Sequence, residues 1–152
     1  VLNHGHAIPL IQSDRGGQIT YHGPGQIIAY TLLDLRRLNL TVRKTVRLLE
    51  QVTINLLSSL GIVGYGDDAR PGVYVKGKKI ASLGLKIKNG CSYHGVALNV
   101  DMDLKPFDNI NPCGYDDLRV TQLKELNVNL SVEEVQQLWI NQFILSFSGE
   151  IY

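Results

Sequence analysis

The chain has 152 residues, 44% of them apolar and 19% charged, with a net charge of +1. That is enough apolar material for one domain with a sizeable core, and too much for a disordered chain. So even a charge nominates neither nucleic acid nor an acidic membrane surface as a partner, and no apolar run reaches the roughly 18 residues of a membrane span.

The chain opens at Val1, with no Met and no basic, apolar leader. It reads as lacking an upstream segment. Ile8-Pro9-Leu10-Ile11 reads as a short strand leading into Arg15-Gly16-Gly17-Gln18-Ile19-Thr20-Tyr21-His22-Gly23-Pro24-Gly25-Gln26. Four glycines within twelve residues are more than a simple connector needs. Glycine lets a ligand touch the main chain directly, so this stretch reads as a binding wall made largely of backbone. A strand over residues 26–33 follows and would hold it rigid. Thr41 caps a helix running to about Leu60, with Val42, Val46, Leu49, Val52, Leu56, Leu57 and Leu60 at helical spacing and Gly61 as the stop. Strands are expected over 72–75 and 79–88, joined by a turn at Lys76-Gly77-Lys78. Asn89-Gly90 is a strong hairpin signal, returning the chain as a strand over 91–100. Residues 101–126 read as irregular. Ser131 and Glu134 form a capping box before a last helix, through about Phe147. The order of elements predicts an α+β fold: a mixed, mostly antiparallel sheet with helices packed on one side.

A two-residue turn at Asn89-Gly90 makes facing pairs of Leu85 with His94, Gly84 with Gly95, Leu83 with Val96, Ala81 with Leu98, and Lys79 with Val100. Side chains alternate across a strand. Lys79 is therefore expected on the apolar face with Ala81, Leu83 and Leu85, while Lys86 and Lys88 point away. A lysine there is costly unless paired or used. The alternatives are that it snorkels to water near the strand end or that a bulge shifts the register. The Gly84–Gly95 pair leaves a bare patch of sheet, read either as close chain packing or as the floor of a ligand site. His94 stands beside it, either as a satisfied core residue or as part of that site.

Two cysteines are too few for a disulfide framework, and a reducing, cytoplasmic setting is the simpler reading, with room left for one bridge. Cys91 sits among ordinary strand residues and reads as structural. Cys113 lies in Asn111-Pro112-Cys113-Gly114-Tyr115. Pro112 fixes φ before it and Gly114 removes a side chain after it. The thiol is either a nucleophile on a tight loop or a small buried hydrophobe. A nucleophile must be a thiolate. Lowering an ordinary thiol pKa of about 8.5 by two units needs about 2.7 kcal/mol. One ammonium at about 4 Å, at an effective dielectric near 20, supplies about 4 kcal/mol. Lys79 is the best candidate for that cation. His4, His6, His22 and His94 show no zinc-ligand spacing with the cysteines. No P-loop, dinucleotide fingerprint or nucleophile elbow appears. No metal and no cofactor are expected.

Taken together, the Arg15–Gln26 stretch, Gly72-Val73-Tyr74-Val75, Lys78-Lys79-Ile80-Ala81-Ser82-Leu83-Gly84, His94-Gly95-Val96-Ala97-Leu98-Asn99 and Asn111-Pro112-Cys113-Gly114-Tyr115 resemble the lipoyl(octanoyl) transferase family. The resemblance implies the fold shared with biotin- and lipoate-protein ligases. It implies transfer of an octanoyl (or lipoyl) group from acyl carrier protein to a lysine of lipoyl domains, those of 2-oxoacid dehydrogenase E2 subunits and of the glycine cleavage H protein. This is the first step of endogenous protein lipoylation. On that likeness Cys113 carries an acyl-thioester intermediate, and Lys79 lowers the thiol's pKa and shuttles protons. Arg15, Gly16, Gly17, Gln18, Ile19, Thr20, Tyr21, His22, Ser82, Leu83, Gly84, Gly95, Val96 and Ala97 match segments that contact the acyl group. Family members carry further residues before the Arg-Gly-Gly stretch, so the expectation is one octanoyltransferase catalytic domain over residues 1–152 lacking an N-terminal segment. The alternatives are an ATP-dependent lipoate- or biotin-protein ligase of the same fold, an amidotransferase acting between lipoyl domains, and a non-catalytic acyl-binding module.

Overall fold

The structure, a computed structural model, describes residues 8–110 and 119–148. Six strands form one sheet: β1 (Gln26–Tyr30), β2 (Leu33–Asp34), β3 (Tyr65–Gly66), β4 (Val73–Val75), β5 (Lys78–Lys88) and β6 (Cys91–Asn99). Their order is β1-β6-β5-β4-β3, with β2 also paired to β6. All these ladders are antiparallel. Two helices, α1 (Val42–Ser59) and α2 (Val132–Ser148), complete the expected α+β architecture.

The local signals act as their chemistry dictates. Thr41 Oγ1 accepts from the Lys44 N–H at 3.2 Å and caps α1. Ser131 Oγ accepts from the Glu134 N–H, and Glu134 Oε2 accepts from the Ser131 N–H, closing the box that starts α2. Asn89 and Gly90 have φ of 54° and 80°, as a two-residue hairpin turn with the strands' own twist requires. Lys76 and Gly77 do the same between β4 and β5, with φ of 48° and 79°.

Both helices cover one face of the sheet. Leu49, Val52, Leu56 and Leu57 of α1 are fully buried, and with Val135 and Trp139 of α2 they meet Ile27, Val73, Val75, Ala81, Val96 and Leu98. Each such side chain contributes about 1.5–3 kcal/mol on burial. The indole N–H of Trp139 donates to Thr53 Oγ1 at 3.1 Å and ties the helices together.

Five expectations change. Residues 8–11 form no strand; Leu10 and Ile11 are 75% and 79% exposed, and no strand among the described residues pairs with them. The strand expected over 26–33 divides into β1 and β2, because the Thr31 N–H turns to the His94 carbonyl. The edge strand β3 was not expected at all. Among the described residues of 101–126, two short 3-10 turns occur, Lys105–Asn109 and Leu123–Leu126.

The fifth change concerns register. β5 and β6 pair as the turn predicts from Ala81↔Leu98 to Lys88↔Cys91. The expected Lys79–Val100 pair does not form. Lys79 instead makes a parallel bridge with Val120: its N–H donates to the Arg119 carbonyl and its carbonyl accepts from the Thr121 N–H, both at 2.9 Å. Toward β4, Ala81 faces Val73 while Lys79 faces Tyr74, so Ile80 is an extra residue, a bulge. Ile80 and Ala81, adjacent in sequence, both enter the core at 0% and 1% exposure. Alternation is broken there, and Lys79 lands on the face opposite the helices, beside Tyr74.

Candidate active site

The face opposite α1 and α2 carries the rows Gln26–Asn99, Ile28–Ala97–Ser82 and Tyr30–Gly95–Gly84, continued beyond the bulge by Lys79, Tyr74 and Tyr65. Lys79 is 2% exposed. Its Nζ donates to the Pro71 carbonyl at 3.2 Å and lies 5.3 Å from the centre of the Tyr74 ring. A cation over an aromatic face gains from the ring's quadrupole, more so when desolvated. Tyr74 is held in turn: its hydroxyl donates to the Arg70 carbonyl at 2.8 Å, and Tyr65 stacks on it.

The glycine-laced stretch crosses the same face. The Gly16 N–H donates to the Leu85 carbonyl at 3.0 Å, and the Arg15 stem lies directly over Gly84. A Cβ at Gly95 would collide with the Ala29 carbonyl of β1. The bare patch is therefore explained by close approach of the chain at both glycines. Gly16, Gly17 and Gln18 are exposed, Ile19 and Thr20 half-buried. Tyr21 meets Phe107 edge to face.

From His22 a polar chain leads to the lysine. His22 Nδ1 is 2.8 Å from Gln26 Oε1; Gln26 Nε2 donates to Asn99 Oδ1 at 2.9 Å; Asn99 Nδ2 donates to the Thr121 carbonyl at 3.0 Å. Thr121 is bonded through its own N–H to Lys79. The loop histidine and the buried lysine, far apart in sequence, thus share one hydrogen-bonded network. Gln26 and Asn99 lie inside the quoted motifs but were not singled out. Their amides, placed where strands alternate apolar and polar, are the signal that could have found them.

Not every expected residue faces this side. Leu83 and Val96 send their side chains to the helix core, so only their backbone is on offer here, whereas Ser82 and Ala97 lie on the site face. His94 adopts a left-handed φ of 65°. With alternation relaxed, His94 Nε2 and the Tyr93 hydroxyl both reach Asp14, at 2.8 and 2.5 Å. These bonds, that from Tyr93 first, hold the Asp14 carboxyl below its ordinary range. They anchor the residue preceding Arg15. Cys91 is exposed at the start of β6. Cys113 lies outside the described residues. A shallow hollow of about 400 Å³ among the described residues, lined by Val75, Lys76, Lys78, Thr121, Glu125 and Leu126, contains none of the expected site residues. Among the described residues no three potential ligands cluster to hold a metal ion, and no helix is long and apolar enough to cross a membrane.

Residues 3–144 match the model of the lipoyl protein ligase A/B catalytic domain. This chain belongs to that family. It is 60% identical over 127 residues to the octanoyltransferase of Chromobacterium violaceum, covering 84% of this chain and 61% of that protein. To the octanoyltransferase of Legionella pneumophila (strain Corby) it is 51% identical over 142 residues, 93% of this chain and 71% of the relative. The chain thus spans about three fifths of the Chromobacterium protein. Among solved structures, a lipoate-protein ligase A crystallised with ATP superposes with a TM-score of 0.73 at 19% identity, over 88% of this chain and 57% of that one. The apo biotin protein ligase from Aquifex aeolicus gives 0.63 at 17%, over 82% and 54%. These distant likenesses establish the lipoate/biotin ligase fold for the lipoyl protein ligase A/B domain described here.

Proposed function

We propose that this domain is the catalytic part of an octanoyltransferase, moving an octanoyl (or lipoyl) group from acyl carrier protein to a lysine of lipoyl domains. The observation that carries the reading is identity of 51–60% to proteins of that name over most of this chain. The buried Lys79, aimed by a carbonyl and an aromatic ring, supplies the amine that the chemistry requires. Arg119, the sixth residue after Cys113, is bonded to the backbone of Lys79.

In this reading the Cys113 thiolate attacks the thioester carbon of the donor. The carbon–sulfur bond to the carrier breaks, and the departing thiolate takes a proton from Lys79. The acyl-enzyme then meets the acceptor amine. As the amide forms, Cys113 leaves as thiolate and Lys79 takes back a proton. Backbone N–H groups near the loop would stabilise each oxyanion. The donor is already activated, so ATP is not consumed. The proposed acceptors are lipoyl domains of 2-oxoacid dehydrogenase E2 subunits and the glycine cleavage H protein, in the cytoplasm.

Intact-mass measurement after mixing with octanoyl-acyl carrier protein, without ATP, should show one octanoyl adduct that is absent in Cys113→Ala. Absence of the adduct in the unmodified chain, or its persistence in the variant, defeats the thioester step. A strict ATP requirement with free octanoate points to a ligase instead.

A further inference from the structure

The Pro71–Gly72 peptide is gripped at both ends. Its carbonyl accepts from Lys79 Nζ at 3.2 Å, and its N–H donates to Glu50 Oε1 at 2.9 Å. Glu50 belongs to α1, on the opposite side of the sheet edge from Lys79, and is only 8% exposed. It shares a stripe with Thr53 and Leu57, both fully buried. A carboxylate there is expensive unless it is used. Gly72 has φ of 147°, and a Cβ would crowd Lys79 Cε and the Ala81 carbonyl at 2.9 Å each. The peptide is thus a flat plate wedged between helix and lysine, with no side chain to soften the contact.

The geometry points to Glu50 as a positioning residue: by holding the Gly72 N–H it fixes the plane of the Pro71–Gly72 peptide and so aims the carbonyl that holds the Lys79 amine. A hydrogen bond to one end of a peptide also polarises the other, which strengthens the carbonyl as an acceptor. Around Glu50 the charged groups are Asp67 and Asp68 of the following loop and Arg47 of α1. The loop is braced independently: Arg70 pairs with Asp67 at 2.9 Å, and Asp67 Oδ1 accepts from the Ala69 N–H. Glu50 is therefore not needed merely to fold it. The inference rests on Lys79 being the amine that handles protons.

The test is a double-mutant cycle on the full chain, with rates taken per folded molecule. Glu50→Met keeps bulk and helix propensity but offers no acceptor for the Gly72 N–H. It should lower kcat about tenfold to a hundredfold, the usual cost of misplacing a catalytic group by about an ångström. KM for octanoyl-acyl carrier protein should stay within about threefold. Glu50→Gln retains a carbonyl oxygen for the Gly72 N–H and should stay within about threefold of the unmodified chain in kcat. In a Lys79→Met background, Glu50→Met should cost nothing more, since it acts through the lysine. Unchanged kcat in Glu50→Met, a raised KM alone, or fully additive losses overturn the positioning role. Lys79→Met without a rate loss overturns the reading of Lys79 itself, which is a distinct result. If Glu50→Met folds poorly, Glu50→Asp, which keeps the charge but withdraws the acceptor, must show the same selective loss of kcat; normal kcat there overturns the proposal.

Discussion

The two faces of the sheet do different work. On the helix side, Ile27, Val73, Ala81, Val96 and Leu98 lie at 7% exposure or less and pack with apolar residues of α1 and α2. On the other side, Gln26, Asn99 and Lys79 are bound into a polar network that reaches His22. The same strands supply both faces, because neighbouring residues point opposite ways. One face stores free energy through burial, which is tolerant of detail. The other holds groups in fixed directions, which is not. The Glu50–Gly72 bond is where the two meet: a helix residue on the stable side reaches a peptide that steers the reactive side.

The sharpest way to break this contrast is at its reactive pole. Lys79→Met keeps the buried stem but removes the amine, and should lower the rate of acyl transfer by about 10²–10⁴, the range for a proton-transfer group. Circular dichroism should show the fold intact. A variant that unfolds instead would place Lys79 among the structural residues. The converse substitution is Leu98→Ala on the helix side. It removes a fully buried side chain and should cost about 2–5 kcal/mol by urea unfolding, with kcat per folded molecule unchanged. Loss of kcat there would mean that the faces are not separable.

Further from both poles, Ser131→Ala removes one half of the capping box of α2 and should cost about 0.5–2 kcal/mol in the same assay. The smallest effect sharpens the comparison most. Burial pushes the Glu50 carboxyl above its ordinary range, against the opposing bond from Gly72. A carboxyl whose folded pKa is raised binds protons better when folded, so its contribution falls as pH rises from the ordinary carboxylate range through the raised value. At neutral pH the carboxylate is a net cost. Glu50→Gln should therefore unfold at an equal or higher temperature at pH 7, with any gain fading as pH falls toward the ordinary carboxylate range. A lower Tm at pH 7 would mean that the charge itself stabilises the fold.

Where local chemistry decides, the sequence was legible. Asn89-Gly90 determined the β5–β6 register through eight successive pairs, because only a few residues tolerate two positive φ angles in a row. Thr41, Ser131 and Glu134 marked both helix starts, since their side chains satisfy backbone groups a few positions away. The motif set pointed to the right family by resemblance alone, since the partners of its glycines and amides lie far along the chain: Gln26 bonds Asn99, and Gly95 lies against Ala29. The direction of Lys79 was not legible. It depends on the bulge at Ile80, which is set by β4 on one side and by Val120 on the other, and no local preference encodes either partner. The role of Glu50 was hidden likewise, since on the helix alone it is one acidic residue beside an apolar stripe. Only the folded chain brings the Gly72 N–H to it. Turns and caps are short-range bonds that a sequence states outright, whereas the aim of a buried amine is fixed by contacts whose closure the whole fold must supply.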